Sequence, residues 1–226
     1  MLNSKIVKEK QAILKQLFML FDKFSDEMER ACKEGCSACC TRNVTLTSLE
    51  AKYILDDLNT YQKDAVLTRI ANEHNKKRLI PKTTINELAK LCMNGEEIPE
   101  EFADPLWGKC PLLLNQRCMI YDLRPFACRS MISKKRCNIT GFAEMDEYMV
   151  TLSNVFMQYI EHIDRGCYFG NLSDILLLEG DKEKHGLSIP YENFVVNKPL
   201  KMLMIPPEHR DRIAKVINVV QTIRIG

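Results

Sequence analysis

The sequence predicts a mainly α fold: a helical domain around an irregular, cysteine-rich centre with short strand or hairpin pieces. Three observations predict it. Apolar residues recur at helical spacing toward both ends of the chain. Two Ser/Thr-x-x-Glu boxes mark helix starts between them. Residues 98–139 combine Pro99, Pro105, Pro111 and Pro125 with three clustered cysteines, which interrupts regular structure.

Taken in order, Ile6, Ile13, Leu17, Leu20, Phe21, Phe24 and Met28 predict a first helix that ends near Lys33-Glu34-Gly35, where glycine takes a left-handed cap. Asn43-Val44-Thr45-Leu46 is extended at best. Thr47-Ser48-Leu49-Glu50 is a capping box that opens a helix through about Asp57. Thr60 starts another, carrying Val66, Leu67, Ile70 and Ala71. Thr84-Ile85-Asn86-Glu87 is a second capping box, closed by Gly95. In the proline-rich centre, Leu112-Leu113-Leu114 and Cys118-Met119-Ile120-Tyr121 read as strand pieces joined by a turn at Asn115-Gln116-Arg117. Helix returns from about Phe142 to Asp164 on a broad apolar stripe that includes Met149, Leu152, Phe156 and Ile160, and Gly166 stops it. A short helix spans Ser173 to Leu178, and residues 180–200 read as surface loop. Pro206-Pro207-Glu208 leads into a last helix through about Val220, with Ile213, Val216, Ile217 and Val220 on one face.

Length and composition bound the function. A chain of 226 residues fits one domain, with residues 30–140 as a cysteine-cluster core and residues 141–226 as a helical portion packed on it. A net charge of +2 gives no drive toward nucleic acid. No apolar run reaches bilayer length, so no membrane partner is expected, and the N-terminus has no secretory pattern. A cytoplasmic location follows as the expectation. There, thiols stay reduced, which favours metal ligands over disulfide staples among the ten cysteines.

Six cysteines form a two-part pattern: Cys36, Cys39 and Cys40 after Gly35, then Cys110 before Pro111, Cys118, and Cys128 within Arg124-Pro125-Phe126-Ala127-Cys128-Arg129. Thiolates near turns, Gly and Pro hold soft metals, and the metal's charge keeps them deprotonated. Only Cys36-x2-Cys39 has zinc-ribbon form. Adjacent Cys39 and Cys40 diverge in extended chain and share a site only where the backbone turns. A polynuclear cluster accommodates six thiolates more naturally than one tetrahedral ion. The six are therefore the candidate metal and cofactor ligands, for an iron–sulfur cluster of the 4Fe–4S type or, alternatively, zinc.

On these residues the chain resembles the YkgJ-like cysteine-cluster family, whose members are described as zinc- or iron-chelating, or as iron–sulfur oxidoreductases. The resemblance rests on Gly35, Cys36, Cys39, Cys40, Leu46, Thr47 and Glu50, and on Cys110, Pro111, Leu113, Cys118, Ile120, Tyr121, Arg124, Pro125, Cys128 and Arg129. It implies a bound metal or cluster and, as the enzymatic expectation, an iron–sulfur oxidoreductase of unspecified substrate. A related cysteine block occurs in the larger flagellin lysine N-methylases.

Other residues have quieter readings. Cys32, Cys137 and Cys167 are candidate additional ligands, whereas Cys92, beside Leu88 and Leu91, reads as core. Tyr121, Arg124 and Arg129 have two readings: an arginine donates to cluster sulfur or holds an anionic substrate, or, the favoured reading, the role is structural, with Arg124 bracing the loop through backbone carbonyls, Tyr121 packed beneath the centre and Asp122 as an ion-pair partner. Trp107 reads as a shield. His74, His162, His185 and His209 form no ligand-spaced pair. The runs Lys76-Lys77-Arg78 and Lys134-Lys135-Arg136 read as solvated faces rather than nucleic-acid contacts. No phosphate loop, nucleophile elbow or dinucleotide fingerprint is present. Two functions remain: an iron–sulfur protein with redox or cluster-dependent activity toward an unknown protein or small molecule, or a zinc-binding structural and interaction module.

Overall fold

The computed structural model describes residues 4–180 and 188–223. It is mainly α. The helices are α1 (Ser4–Ser25), α2 (Ser48–Asp57), α3 (Thr60–Asn72), α4 (Ile85–Asn94), α5 (Phe126–Arg129), α6 (Cys137–Thr140), α7 (Glu147–Ile163), α8 (Leu172–Glu179) and α9 (Arg210–Val220). The strands are β1 (Thr45–Thr47), β2 (Leu113–Leu114), β3 (Arg117–Cys118), β4 (Tyr168–Asn171) and β5 (Phe194–Val196). Among the described residues no helix is long and apolar enough to cross a membrane.

Two apolar clusters organise these elements. In the first, Leu14, Leu17, Phe18 and Phe21 of α1 pack against Leu152, Phe156 and Ile160 of α7 and Ile213 and Val216 of α9. The spacing of the α1 residues makes one helical stripe. Ile6, expected on that stripe, is exposed. In the second cluster α2, α3 and α8 enclose Leu46, Ile54, Ile70, Leu112, Ile120 and Ile175. Beside it lies an antiparallel sheet in the order β1-β4-β5, with Leu46 opposite Gly170 and Phe169 opposite Val195. At Gly170 an added Cβ would stand 3.0 Å from the Phe194 ring and 3.1 Å from the Asn193 carbonyl oxygen, so the close strand approach requires glycine.

The capping box at Thr47 is present in full: Glu50 N–H donates to Thr47 Oγ1, and Thr47 N–H donates to Glu50 Oε2 at 2.8 Å. At Thr84 only half of the expected box forms. Thr84 accepts from Glu87 N–H, but the Glu87 carboxylate turns to Lys90, and Glu161 of α7 accepts Asn86 N–H at 2.7 Å instead. Asp164, just past α7, likewise accepts Leu49 N–H of α2 at 3.1 Å. Two helices thus have their N-terminal amides satisfied from α7.

Several expected boundaries move, each because a tertiary contact overrides local propensity. α1 ends at Ser25 rather than near Gly35, because the chain beyond it runs beside residues 131–133, with Ala31 N–H on the Ser133 carbonyl at 2.8 Å. α7 begins at Glu147 rather than Phe142, because Lys134 N–H binds the Glu144 carbonyl and Asp146 caps the helix. Within residues 180–200, read as loop, Phe194–Val196 is a strand with one buried side chain, too short for alternation to show. His185 lies outside the described residues.

Burial raises the Asp164 pKa from 3.8 to about 7. The folded state therefore holds a proton that the unfolded state has lost across that interval, and stability falls as pH rises through it. Asp164→Asn removes this slope. Urea unfolding from pH 4 to pH 8 is expected to show the wild type losing roughly 2–4 kcal/mol relative to the variant. Parallel pH profiles for the two proteins would reject this assignment.

Candidate metal centre

The first cysteine block follows α1 as a succession of turns. Gly35 has φ +84°, which favours glycine. Cys36 N–H then binds the Lys33 carbonyl at 2.9 Å, Cys40 N–H the Ser37 carbonyl at 3.2 Å, and Thr41 N–H the Cys39 carbonyl at 2.9 Å. This tight backbone lets the neighbouring Cys39 and Cys40 thiols meet: Cys39 donates a hydrogen bond to Cys40.

The second block is brought to it by backbone pairing. Cys110 N–H binds the Cys40 carbonyl at 3.0 Å, Arg42 N–H binds the Gly108 carbonyl at 3.1 Å, and Thr41 bridges to Lys109. The β2–β3 hairpin returns Cys118 opposite Leu113. Its two-residue turn places Asn115 at φ 49° and Gln116 at φ 62°, the left-handed pair that such hairpins require. Two residues beyond Cys110 and Cys118, the N–H groups of Leu112 and Ile120 draw the pKa of those thiols down against burial.

Cys128 is positioned from the other side. Pro125 starts α5, and Phe126 anchors it in the first apolar cluster, 4.7 Å from the Phe21 ring and 6.2 Å from those of Phe18 and Phe156. Phe126 N–H donates to Glu50 Oε1 at 2.7 Å. The carboxylate that caps α2 therefore also caps the short helix bearing Cys128. The brace expected at Arg124 is made chiefly by Arg129, which donates to the Arg124 and Asp122 carbonyls, pairs with Asp22 at 3.3 Å and lies over the Phe18 ring. Asp122 contributes its carbonyl rather than its carboxylate. Arg124 stacks over Tyr121 at 4.1 Å.

The result is a cavity of about 400 Å³ lined by Cys32, Cys36, Cys39, Cys40, Cys118 and Cys128, with Tyr121, Arg124 and Arg129 on its wall. Cys40, Cys118 and Cys128 on this lining form an inner group with Cys110 behind them: Cys40 lies in the field of the other three, and Cys128 in that of Cys110, Cys118 and Cys39. Burial pushes the Cys110 thiol up to about 11 and raises Cys118 and Cys128. Cys39 is raised first by its hydrogen bond to Cys40 and then by burial, and the same bond lowers Cys40. Cys36 is exposed at the outer edge.

Among the described residues no three Cys, His, Asp or Glu side chains make a set that could hold an ion as they stand. Cys40, Cys118 and Cys128 line the cavity, and Cys110 lies in their field. The surroundings fit a sulfur-rich occupant nonetheless. Besides the Leu112 and Ile120 amides, the buried Arg42 Nε has no hydrogen-bond partner among the described residues. The Arg42 charge draws the Cys110 pKa down against burial. A buried, unpaired N–H beside a thiol is suited to an anionic sulfur.

The remaining candidates separate. Cys92 is exposed rather than core, because α4 buries Asn86 and Ala89 near its start and its last turn runs into solvent. Cys167 lies beside Asp164 and does not line the cavity. Cys137 is buried, and Cys32 accepts Ser133 N–H at 3.2 Å. His74 faces Asp174 at 3.6 Å, His162 Nδ1 accepts Leu200 N–H, and His209 meets Thr151. Arg78 pairs with buried Asp174 rather than forming a solvated face, while Lys134 and Lys135 pair with Asp146 and Glu144. Trp107 packs on Phe102 at 5.4 Å. The double use of Glu50 had no sequence signal beyond its place in the capping box.

Glu50→Ala leaves the Thr47 and Phe126 amides unpaired in a buried site. It is expected to cost about 2–4 kcal/mol in urea unfolding and to lower metal content. A loss below about 0.5 kcal/mol with unchanged metal content would remove Glu50 from this role.

No curated protein and no solved structure matches the chain. Residues 31–148, just over half of its length, match the CxxCxxCC family, described as "Putative zinc- or iron-chelating domain". That span holds all the cysteines of the inner group together with Cys32, Cys36, Cys39 and Cys137, and the chain therefore belongs to this family of metal-binding, cysteine-rich domains.

Proposed function

We propose that this chain is an iron–sulfur protein whose 4Fe–4S cluster is held by Cys40, Cys110, Cys118 and Cys128, with Cys36 and Cys39 at the outer wall. The observation that carries this reading is the width of the cavity. A single zinc ion draws its sulfurs to about 2.3 Å, whereas Cys40, Cys118 and Cys128, with Cys36 and Cys39, line a space of about 400 Å³. The Leu112 and Ile120 amides, and Arg42 in its ion pair with Glu73, each draw a neighbouring thiol pKa down, the kind of influence by which a protein stabilises an anionic cluster and tunes its potential. Redox or cluster-dependent chemistry in a reducing, cytosolic setting is the corresponding role.

A zinc-stapled structural module is the second reading. What favours it is the number in the inner group, since four thiolates complete a closed tetrahedral site.

Metal and sulfide analysis of protein purified without oxygen separates the two. The cluster reading expects iron with about equal sulfide and a broad visible absorption, both lost in Cys128→Ala. Zinc without sulfide, with unfolding by chelator, establishes the second reading. Colourless, iron-free protein after cluster reconstitution rejects the first.

A further inference from the structure

Most basic side chains around the cysteine segments are neutralised. Arg30, Arg129, Lys134 and Lys135 each pair with a carboxylate, at 2.7, 3.3, 2.7 and 2.9 Å. Lys33, Lys109 and Arg136 make no ion pair among the described residues. They come from three separate segments: the chain after α1, the residue before Cys110 and the residue before α6. Yet all three line one hollow of about 610 Å³. Lys109 is tied to its wall, with Nζ donating to the Ser37 carbonyl at 3.4 Å.

The acid on this lining is Glu34, so three bases stand against one carboxylate. A chain-wide charge of +2 conceals such a local excess. Like charges gathered from separate segments repel, and an incoming anion relieves that repulsion. A cleft lined by one sign of charge also focuses the field and concentrates counter-ions. Gln116 and Asn138 on the same lining add neutral amides, which donate hydrogen bonds beside the cations. The volume is that of a small-molecule site. Nor is the hollow remote from the cysteines. Lys33, Gly35, Cys36 and Gln116 line both it and the cysteine cavity, so the two spaces share a wall.

We propose that this hollow binds a small dianion, a phosphate monoester or a dicarboxylate. The Arg136 guanidinium takes two of its oxygens as a fork, and Lys33 and Lys109 neutralise the rest as point charges. The ligand then stands against the wall of the cysteine cavity and supplies the substrate class that the cysteines alone do not. Its service to the centre rests on the reading of the inner cysteines as a metal site. The anion site itself does not.

The test is isothermal titration calorimetry of the full chain, purified without oxygen, with inorganic phosphate and, separately, succinate, against chloride at matched ionic strength. Saturable binding of a single anion per chain is expected. Lys109→Gln/Arg136→Gln is expected to weaken it roughly tenfold or more. Lys82→Gln/Lys215→Gln removes the same charge from exposed positions elsewhere and is expected to leave binding within about twofold. Lys109 and Arg136 are exposed as well, and unchanged circular dichroism shows that each variant keeps its fold. The tighter of the two probes assigns the ligand to the phosphate esters or to the dicarboxylates. If neither anion binds saturably, if Lys109→Gln/Arg136→Gln binds as wild type does, or if both double variants weaken binding alike, the proposal is overturned. Metal and sulfide analysis of the same samples keeps the two readings apart. Iron and sulfide without anion binding overturn the anion site and leave the centre standing. Anion binding that Lys109→Gln/Arg136→Gln abolishes in metal-free protein establishes the anion site and rejects its service to a centre.

Discussion

Glu50 lies in α2, far in sequence from α5, yet its carboxylate accepts amide protons at the start of both helices. It is fully buried, and burial raises its pKa while the Phe126 and Thr47 amides lower it. Three donors from two segments converge on two oxygens, so the carboxylate is satisfied where an unpaired charge would be costly. The geometry of the cysteine cavity depends on this contact. α5 has only four residues and cannot hold its own shape. Its place is set by Phe126 in the apolar cluster and by Glu50 at its first amide. Cys128 inherits its position from both.

The same device recurs along α7. Glu161 accepts Asn86 N–H of α4 and Lys198 N–H at 2.6 Å, and Asp164 accepts Leu49 N–H of α2 and Asn197 Nδ2 at 2.9 Å. A helix that packs its apolar stripe on α1 and α9 therefore uses its remaining side to fix the starts of two others. The cysteine segments need such a frame. Between residues 26 and 44 and between residues 103 and 140 the chain has only short pieces of regular structure. Their backbone bonds run largely to one another, as with Cys110 to Cys40 and Ala31 to Ser133.

Helices were the most legible part of the sequence, because each long one is amphipathic and several carry caps readable from residue types alone. Thr47 to Glu50 and Gly95 behave as their local chemistry requires. The strands β4 and β5 were not legible. Four and three residues cannot display a period, and β4 is defined by its partners rather than by its own pattern. Of the candidate site, the hairpin turn could be read from Asn115-Gln116-Arg117, whereas the loop brace read at Arg124 is made chiefly by Arg129. The sorting of the cysteines could not. It arises from pairing across roughly seventy and one hundred residues of chain, between Cys40 and Cys110 and between Cys32 and Ser133, for which local spacing holds no information. Cys92 misled for the opposite reason: its helical neighbours are apolar, but its turn projects past the surface they cover.

The backbone bond between Cys40 and Cys110 also has a topological meaning. Roughly seventy residues separate them, and α2, α3 and α4 all lie in between. An ion bound to both sulfurs closes that stretch into a ring. In the unfolded chain, a ring of this size forfeits conformational entropy worth about 4 kcal/mol on the scale of a disulfide loop. Metal held by these two sulfurs would work as a reversible crosslink, tying the chain as a disulfide would while leaving the tie open to release by a competing ligand or by oxidation of the thiols.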